Sequence, residues 1–214
     1  MSDSKQLLID QYYHIYNRGN NNELLFREAR NYNYFLKLSV KYAYPIIKTY
    51  AYCLLPNHFH FLVKIKDCQS YPTSRAFANL FSTYAKAINK AYDRSGSLFE
   101  KVFHRKMIND DRYFTSLVVY IDRNLQKHGF VDDFRNWPHS SYRTILSNRP
   151  SRIERTAVLE WFGGPRGFEE VHTTEFDESQ IEQFISDGVA QTRPTTKAIA
   201  ITWGGIPLPQ LTQL

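Results

Sequence analysis

His58 and His60, separated by Phe59 in the stretch Leu55-Pro-Asn-His-Phe-His-Phe-Leu-Val63, are the residues of this chain best suited to chemistry. Side chains at i and i+2 of a strand project to the same side. An extended 58–60 segment would therefore present two imidazoles on one face of a sheet, and such a pair is half of a divalent metal site. The plainer alternative is that two polar residues close a strand and bond to neighbouring backbone. Further along, a helical pattern from Asp110 to His128 carries an apolar stripe of Phe114, Leu117, Val118, Ile121 and Leu125. At about 100° per residue, Tyr120 and Asn124 fall together on the flank of that stripe. Asn124 can offer its amide oxygen as a third ligand, and Tyr120 a phenol that reaches a substrate held nearby. With 15 tyrosines in the chain, a phenol at a buried helix margin is the commoner reading of Tyr120 alone. Tyr113 and Tyr142 are alternative nucleophiles, although Tyr113 has no asparagine one turn later.

The elements that must hold these groups can be read from periodicity. Leu7 to Arg18 alternates, with Tyr12, His14 and Tyr16 on one side and Tyr13 and Ile15 on the other, and reads as a strand ending at Gly19. Phe26 to Tyr42 has helical spacing and stops before Pro45, and Pro72 to Tyr92 repeats the pattern with Phe77, Leu80, Phe81, Tyr84 and Ile88. Ile46 to Leu55, His58 to Ile65 and Leu98 to Ile108 read as strands, and Asn109-Asp-Asp111 supplies capping chemistry for the helix that ends near Gly129. The order strand, helix, strand, strand, helix, strand predicts an α+β fold, a ferredoxin-like split βαβ four-stranded antiparallel sheet with helices on one face. Pro56-Asn57 is compatible with a tight or a wide connection between the second and third strands.

Charge divides the chain. Residues 1–150 hold 22 Lys and Arg against 12 Asp and Glu, a net +10, whereas residues 151–214 hold 5 against 9, a net −4. The basic part suits a polyanion. The expected organisation is one catalytic or binding domain over 1–150, followed by an acidic, mostly helical C-terminal extension and tail over 151–214, with helical pieces at 155–162 and 179–185. Cys53 and Cys68 do not form a disulfide framework or a Cys-x-x-Cys pair. No leader pattern or bilayer-length apolar run stands in the chain, so no membrane partner is expected and a cytoplasmic location is the default.

Several short motifs, taken together, resemble the HUH single-strand DNA transposases with one catalytic tyrosine, especially the REP-associated tyrosine transposases. They are Tyr13-His-Ile-Tyr-Asn-Arg-Gly19 with Leu25-Phe26, Leu55-Pro-Asn-His-Phe-His60, Gly96-Ser-Leu-Phe99, Tyr120-Ile-Asp-Arg-Asn124 with His128-Gly129, and Trp137-Pro-His-Ser-Ser-Tyr142, all within about the first 145 positions. Val158-Leu-Glu-Trp-Phe-Gly-Gly164 resembles a short extension of some members. The resemblance implies that His58 and His60 bind metal, that Asn124 completes the site and that Tyr120 is the nucleophile. One departure is visible: Leu125 stands where members of the REP-associated group usually have proline, which lets the helix run on.

The resemblance implies single-strand DNA cleavage and rejoining by transesterification, with Mg²⁺ or Mn²⁺ as the divalent ion and, in family terms, a 5′-phosphotyrosine. The implied partner is single-stranded DNA containing a hairpin; a homodimer stays open beside a monomer. Arg18, Arg105 and Lys106, and with them Lys127, are candidate DNA contacts, their alternative being ordinary surface charge. Lys127 shares the helical flank of Tyr120 and could assist it or simply complement the helix dipole. A different class, a non-catalytic RRM-like module that stacks bases on sheet aromatics, would leave the histidines without a role and lacks an RNP-type motif. A metallo-hydrolase using His-x-His with an aspartate two residues on is disfavoured by Leu62.

Overall fold

The computed structural model describes residues 6–68, 72–100, 103–109 and 112–174. Its strands are β1 (Tyr12–Arg18), β2 (Ile47–Leu54), β3 (His58–Ile65) and β4 (His104–Ile108). The helices are α1 (Ala29–Tyr42), α2 (Thr73–Ala91), α3 (Arg112–Lys127), α4 (Tyr142–Leu146), α5 (Arg155–Trp161) and α6 (Pro165–Thr173). The sheet order is β2-β3-β1-β4 with every pair antiparallel, the split βαβ arrangement expected from the element order.

Strand alternation sorts the side chains into two faces. Ile15, Phe59 and Phe61 meet the crossover helices, with the ring of Phe35 from α1 at 5.2 Å from Phe59 and that of Phe81 from α2 at 5.5 Å from Phe59. Phe35 and Phe59 are fully buried, and truncating an aromatic so placed costs about 3–5 kcal/mol. The other face carries Tyr12, His14, Tyr16, His58 and His60, and α3 lies across it, with Phe114 at 4.4 Å from Tyr12 and Tyr120 at 5.6 Å from His60. The expectation of helices on one face thus holds for α1 and α2, while α3 covers the opposite side.

The first helix begins at Ala29, three residues after Phe26, and the starts of the first and fourth strands shift for local reasons. The first strand begins at Tyr12, not Leu7, because Asp10 turns through a left-handed conformation with φ 59°. The fourth begins at His104; Leu98 and Phe99 instead close against β1, where Phe99 bridges Gly19 and the Glu100 amide donates to the Arg18 carbonyl at 3.0 Å. Gly19 has to be glycine, since a Cβ there would stand 2.0 Å from the Glu23 carbonyl oxygen. The connection at Pro56-Asn57 is tight: the Leu55 amide donates to the His58 carbonyl at 2.8 Å. The Pro56 carbonyl accepts from Leu25 and Phe26, and the Asn57 carbonyl from Gly19, so the start of β3 is anchored on three sides.

The segment 137–141 covers the outer edge of β2. Trp137 Nε1 donates to the Leu54 carbonyl at 2.9 Å, the Leu54 amide to the His139 carbonyl at 3.0 Å, and the Ser141 amide to the Tyr52 carbonyl at 2.9 Å. An exposed strand edge is a template for pairing with other chains, and this segment removes it. α5 matches the helical piece expected at 155–162, while the expected helix at 179–185, the tail, and the capping residues Asp110 and Asp111 lie outside the described residues. Residues 155–173 share the core of the first 150: Val158 and Phe168 are fully buried, and α6 is tied to α3 by the buried pair of His172 and Asp122.

Candidate active site

α3 ends where the sequence says it should. Gly129 takes φ 69°, the Phe130 amide donates to the Leu125 carbonyl and the Gly129 amide to the Gln126 carbonyl, both at 3.0 Å. This is a Schellman closure, in which the helix's last carbonyls are satisfied by a left-handed glycine. Leu125 continues the helix and is fully buried, so the residue that departs from the family pattern serves here as a core contact.

Tyr120 and Asn124, one turn apart on α3, both face the histidine side of the sheet. His58 Nε2 lies 3.0 Å from Asn124 Oδ1, and His58 Nδ1 lies 2.7 Å from Asn57 Oδ1. The Tyr120 ring meets the His60 ring edge to face, 5.6 Å between centroids, and stands 6.3 Å from His14. His58 and His60 are perpendicular at 5.1 Å. The four expected residues are therefore brought together. All are buried, Tyr120 being 5 % and His60 1 % exposed.

Burial decides the charge state of the imidazoles. Desolvation, aided by neighbouring positive groups, pushes His58 down to about 3 and His60 well below the ordinary histidine value, so both are neutral with a lone pair to give. His60 Nε2 and Asn124 Nδ2 are buried without a hydrogen-bond partner among the described residues. Two neutral imidazoles and an amide oxygen are a fitting donor set for a divalent ion, and the unsatisfied ring nitrogen of His60 fits that use. Among the described residues no cluster of three His, Cys, Asp or Glu is placed to hold a metal ion.

The candidate cations separate by strand alternation. Lys106 pairs with His14 across β1 and β4 and lies on the histidine face, whereas Arg105, opposite Ile15, lies on the other face with its guanidinium 5.2 Å from the Phe103 ring. Arg18 stands opposite His58 on the histidine face, and its guanidinium is engaged by Glu100, with Nη2 at 2.8 Å from Oε1. Lys127 holds its ammonium 5.7 Å from the Tyr120 ring centroid. Tyr142 packs at 5.0 Å from Phe134 and 5.1 Å from His172 in the C-terminal cluster, away from the imidazole pair.

Sequence reasoning missed three residues of this region. His14 Nε2 lies 2.9 Å from His60 Nδ1. His128, one turn past Asn124, has its ring 5.2 Å from His58, and His104 stacks on Tyr16 at 4.8 Å. The signal for His14 was present: it shares a strand face with Tyr12 and Tyr16, but only the register of β1 on β3 shows that it meets His60.

The geometry can be set beside known proteins. No family model matches the chain. Over 108 residues it is 28% identical to a Haemophilus influenzae protein provisionally described as a REP-associated tyrosine transposase, a match covering 46% of this chain and 60% of that protein. A solved REP-associated tyrosine transposase bound to a REP hairpin superposes with a TM-score of 0.56 at 16% identity, over 70% of this chain and 89% of that one. The chain is thus similar in sequence to one such transposase and in fold to another. The sequence match is to a protein described as a REP-associated tyrosine transposase, and the structural match shows that the fold is shared. The chain spans about 60% of the length of the curated transposase it matches. A bacterial tRNA(His) guanylyltransferase-like protein aligns at a TM-score of 0.40 with 9% identity, covering 85% of this chain and 93% of that one. Among the described residues no helix is long and apolar enough to cross a membrane.

Proposed function

We propose that this protein cleaves and rejoins single-stranded DNA, with the Tyr120 phenol as nucleophile and His58, His60 and Asn124 as the residues that would hold a Mg²⁺ or Mn²⁺ ion. The observation that carries this reading is the convergence of a helix-borne phenol on two neutral, strand-borne imidazoles beside an amide oxygen. When bound, such an ion supplies Lewis-acid stabilisation of the charge that develops on a phosphodiester.

The chain's own groups do the rest. Tyr120 Oη attacks phosphorus in line, a Tyr–O–P bond forms, the P–O3′ bond breaks, and the products are a 5′-phosphotyrosine and a free 3′-hydroxyl. In the reverse sense a 3′-hydroxyl attacks the phosphotyrosine and restores the strand, so one phosphoester replaces another and no ATP is needed. A phenol with an ordinary pKa near 10 is a weak nucleophile at neutral pH, and the Lys127 ammonium near its ring favours the phenolate. Because Tyr120 and His60 are almost wholly buried, the C-terminal half of α3, which carries Tyr120, has to yield as the DNA enters. Lys106, on the histidine face, is the cation best placed to meet the phosphate backbone. The hairpin named for the solved relative supports a hairpin-bearing strand as the substrate.

A non-catalytic module that stacks bases on an open sheet fits less well, since α3 lies across the face in question. The test is adduct trapping on denaturing gels with hairpin-bearing single-stranded oligonucleotides and Mn²⁺. Wild type is expected to shift as a covalent complex, and both Tyr120→Phe and chelator-treated protein are expected not to. An unshifted wild type across a panel of hairpins taken from DNA flanking the gene would end this reading.

A further inference from the structure

Buried His14 has no part in the proposed cleavage chemistry, yet it stands within hydrogen-bond distance of His60. Its Nε2 stands 2.9 Å from His60 Nδ1, and the two ring planes are tilted by only 19°. The centroids are 5.1 Å apart, so little more than one ring radius remains on either side of the nitrogen pair. The two nitrogens therefore lie close to the line joining the rings, the geometry of an in-plane hydrogen bond and not of stacked faces.

A hydrogen bond between two neutral imidazoles has one donor and one acceptor, and the choice fixes both tautomers. If His14 Nε2 carried the shared proton, the one ring proton of neutral His60 would sit on Nε2, a buried N–H with no hydrogen-bond partner among the described residues. If His60 Nδ1 carries it, Nε2 keeps its lone pair. With one proton shared between the two facing nitrogens, these are the two arrangements the contact allows.

We propose that His14 is a positioning residue: it accepts the Nδ1–H of His60, and by doing so holds His60 in the tautomer and ring orientation that leave Nε2 free to bind a metal ion. This deepens the proposed function and rests on it for the metal. Metal-bound histidines generally donate their second ring N–H to an acceptor that orients them, most often a carboxylate or a carbonyl. Here the acceptor is a third imidazole, placed by the diagonal relation of β1 to β3: Tyr16 is in register with His60, and His14 is two residues along on the same face.

Two measurements decide it. In the metal-free wild-type protein, ¹⁵N-resolved NMR of the histidine rings reads the tautomer directly, and His60 is expected to be protonated at Nδ1. Protonation at Nε2 would overturn the proposal whether or not the protein cuts DNA. In calorimetric titrations with Mn²⁺, His14→Leu is expected to bind about 10–100-fold more weakly than wild type. His14→Gln, whose amide oxygen can accept the same proton, is expected to recover most of that loss. Equal Mn²⁺ affinity in His14→Leu and wild type would overturn the proposal. A wild-type protein that binds no Mn²⁺ would instead strike at the metal reading, while the tautomer measurement still decides the role of His14.

Discussion

His58 Nε2 on β3 and Asn124 Oδ1 on α3 are 3.0 Å apart, across 66 positions of sequence, and this contact fastens the helix that carries Tyr120 to the strand that carries the imidazoles. Asn124→Ala removes both the helix-to-strand contact and the proposed third donor, an amide oxygen. It is expected to weaken Mn²⁺ binding by at least about tenfold in calorimetry and to reduce covalent adduct in proportion. Asn124→Gln, which keeps an amide oxygen, should retain part of both.

The C-terminal helix is clamped to the same element from its other side. His172 Nε2 lies 3.2 Å from Asp122 Oδ2, His172 Nδ1 donates to the Phe168 carbonyl at 2.7 Å, and the Ser141 hydroxyl donates to Asp122 Oδ1 at 3.1 Å. Asp122 and His172 have no exposed side-chain surface. Removing one partner strands the other in a desolvated site, so His172→Ala is expected to cost about 3–5 kcal/mol in urea unfolding. Replacing both with leucine should cost far less. Asp122 sits between Tyr120 and Asn124 in sequence, so adduct formation should fall alongside stability in the single variant.

Stability should decline in mild acid. Burial holds His139, stacked on Tyr32 at 4.0 Å, down at about 4 and His58 down to about 3, against about 6.5 in an unfolded chain. Between those values the unfolded chain binds more protons than the folded one, so unfolding is favoured as pH drops from about 6.5 toward 4 and the full contribution is present above about 6.5. Chemical denaturation at a series of pH values should show this slope in metal-free protein, and His139→Phe should flatten it. A pH-independent stability across that window would contradict the burial of these rings.

The two neighbouring cations of β4 should behave differently. Lys106 shares the histidine face and Arg105 does not. Lys106→Ala is expected to weaken binding to single-stranded DNA and to lower the slope of log affinity against log salt by about 0.7, the single-strand value for one phosphate contact, whereas Arg105→Ala should leave that slope unchanged. Fluorescence anisotropy over a range of salt concentrations separates the two.

How much of this was legible in the sequence depends on the range of the interaction. The His-x-His pair, the Tyr120 and Asn124 flank and the stop at Gly129 are local patterns, and strand or helix period is enough to place them. The face that each strand residue occupies was equally legible, and applied to β4 it would have parted Lys106 from Arg105 at once. Contacts that depend on register or on distant docking were not. His14 reaches His60 only because β1 pairs with β3 at one register, and Asp122 meets His172 50 positions later through a helix whose placement no period announces. The pairing of Arg18 with Glu100, 82 positions apart, is of the same kind.

Peptide mapping by mass spectrometry of the protein trapped on a hairpin-bearing single-stranded oligonucleotide identifies the residue that carries the nucleotide. The phosphodiester link is expected on Tyr120, with the DNA joined through its 5′ phosphate. A link on Tyr113, Tyr142 or any other side chain, or DNA cut with no link at all, would contradict a reaction centred on the phenol of α3.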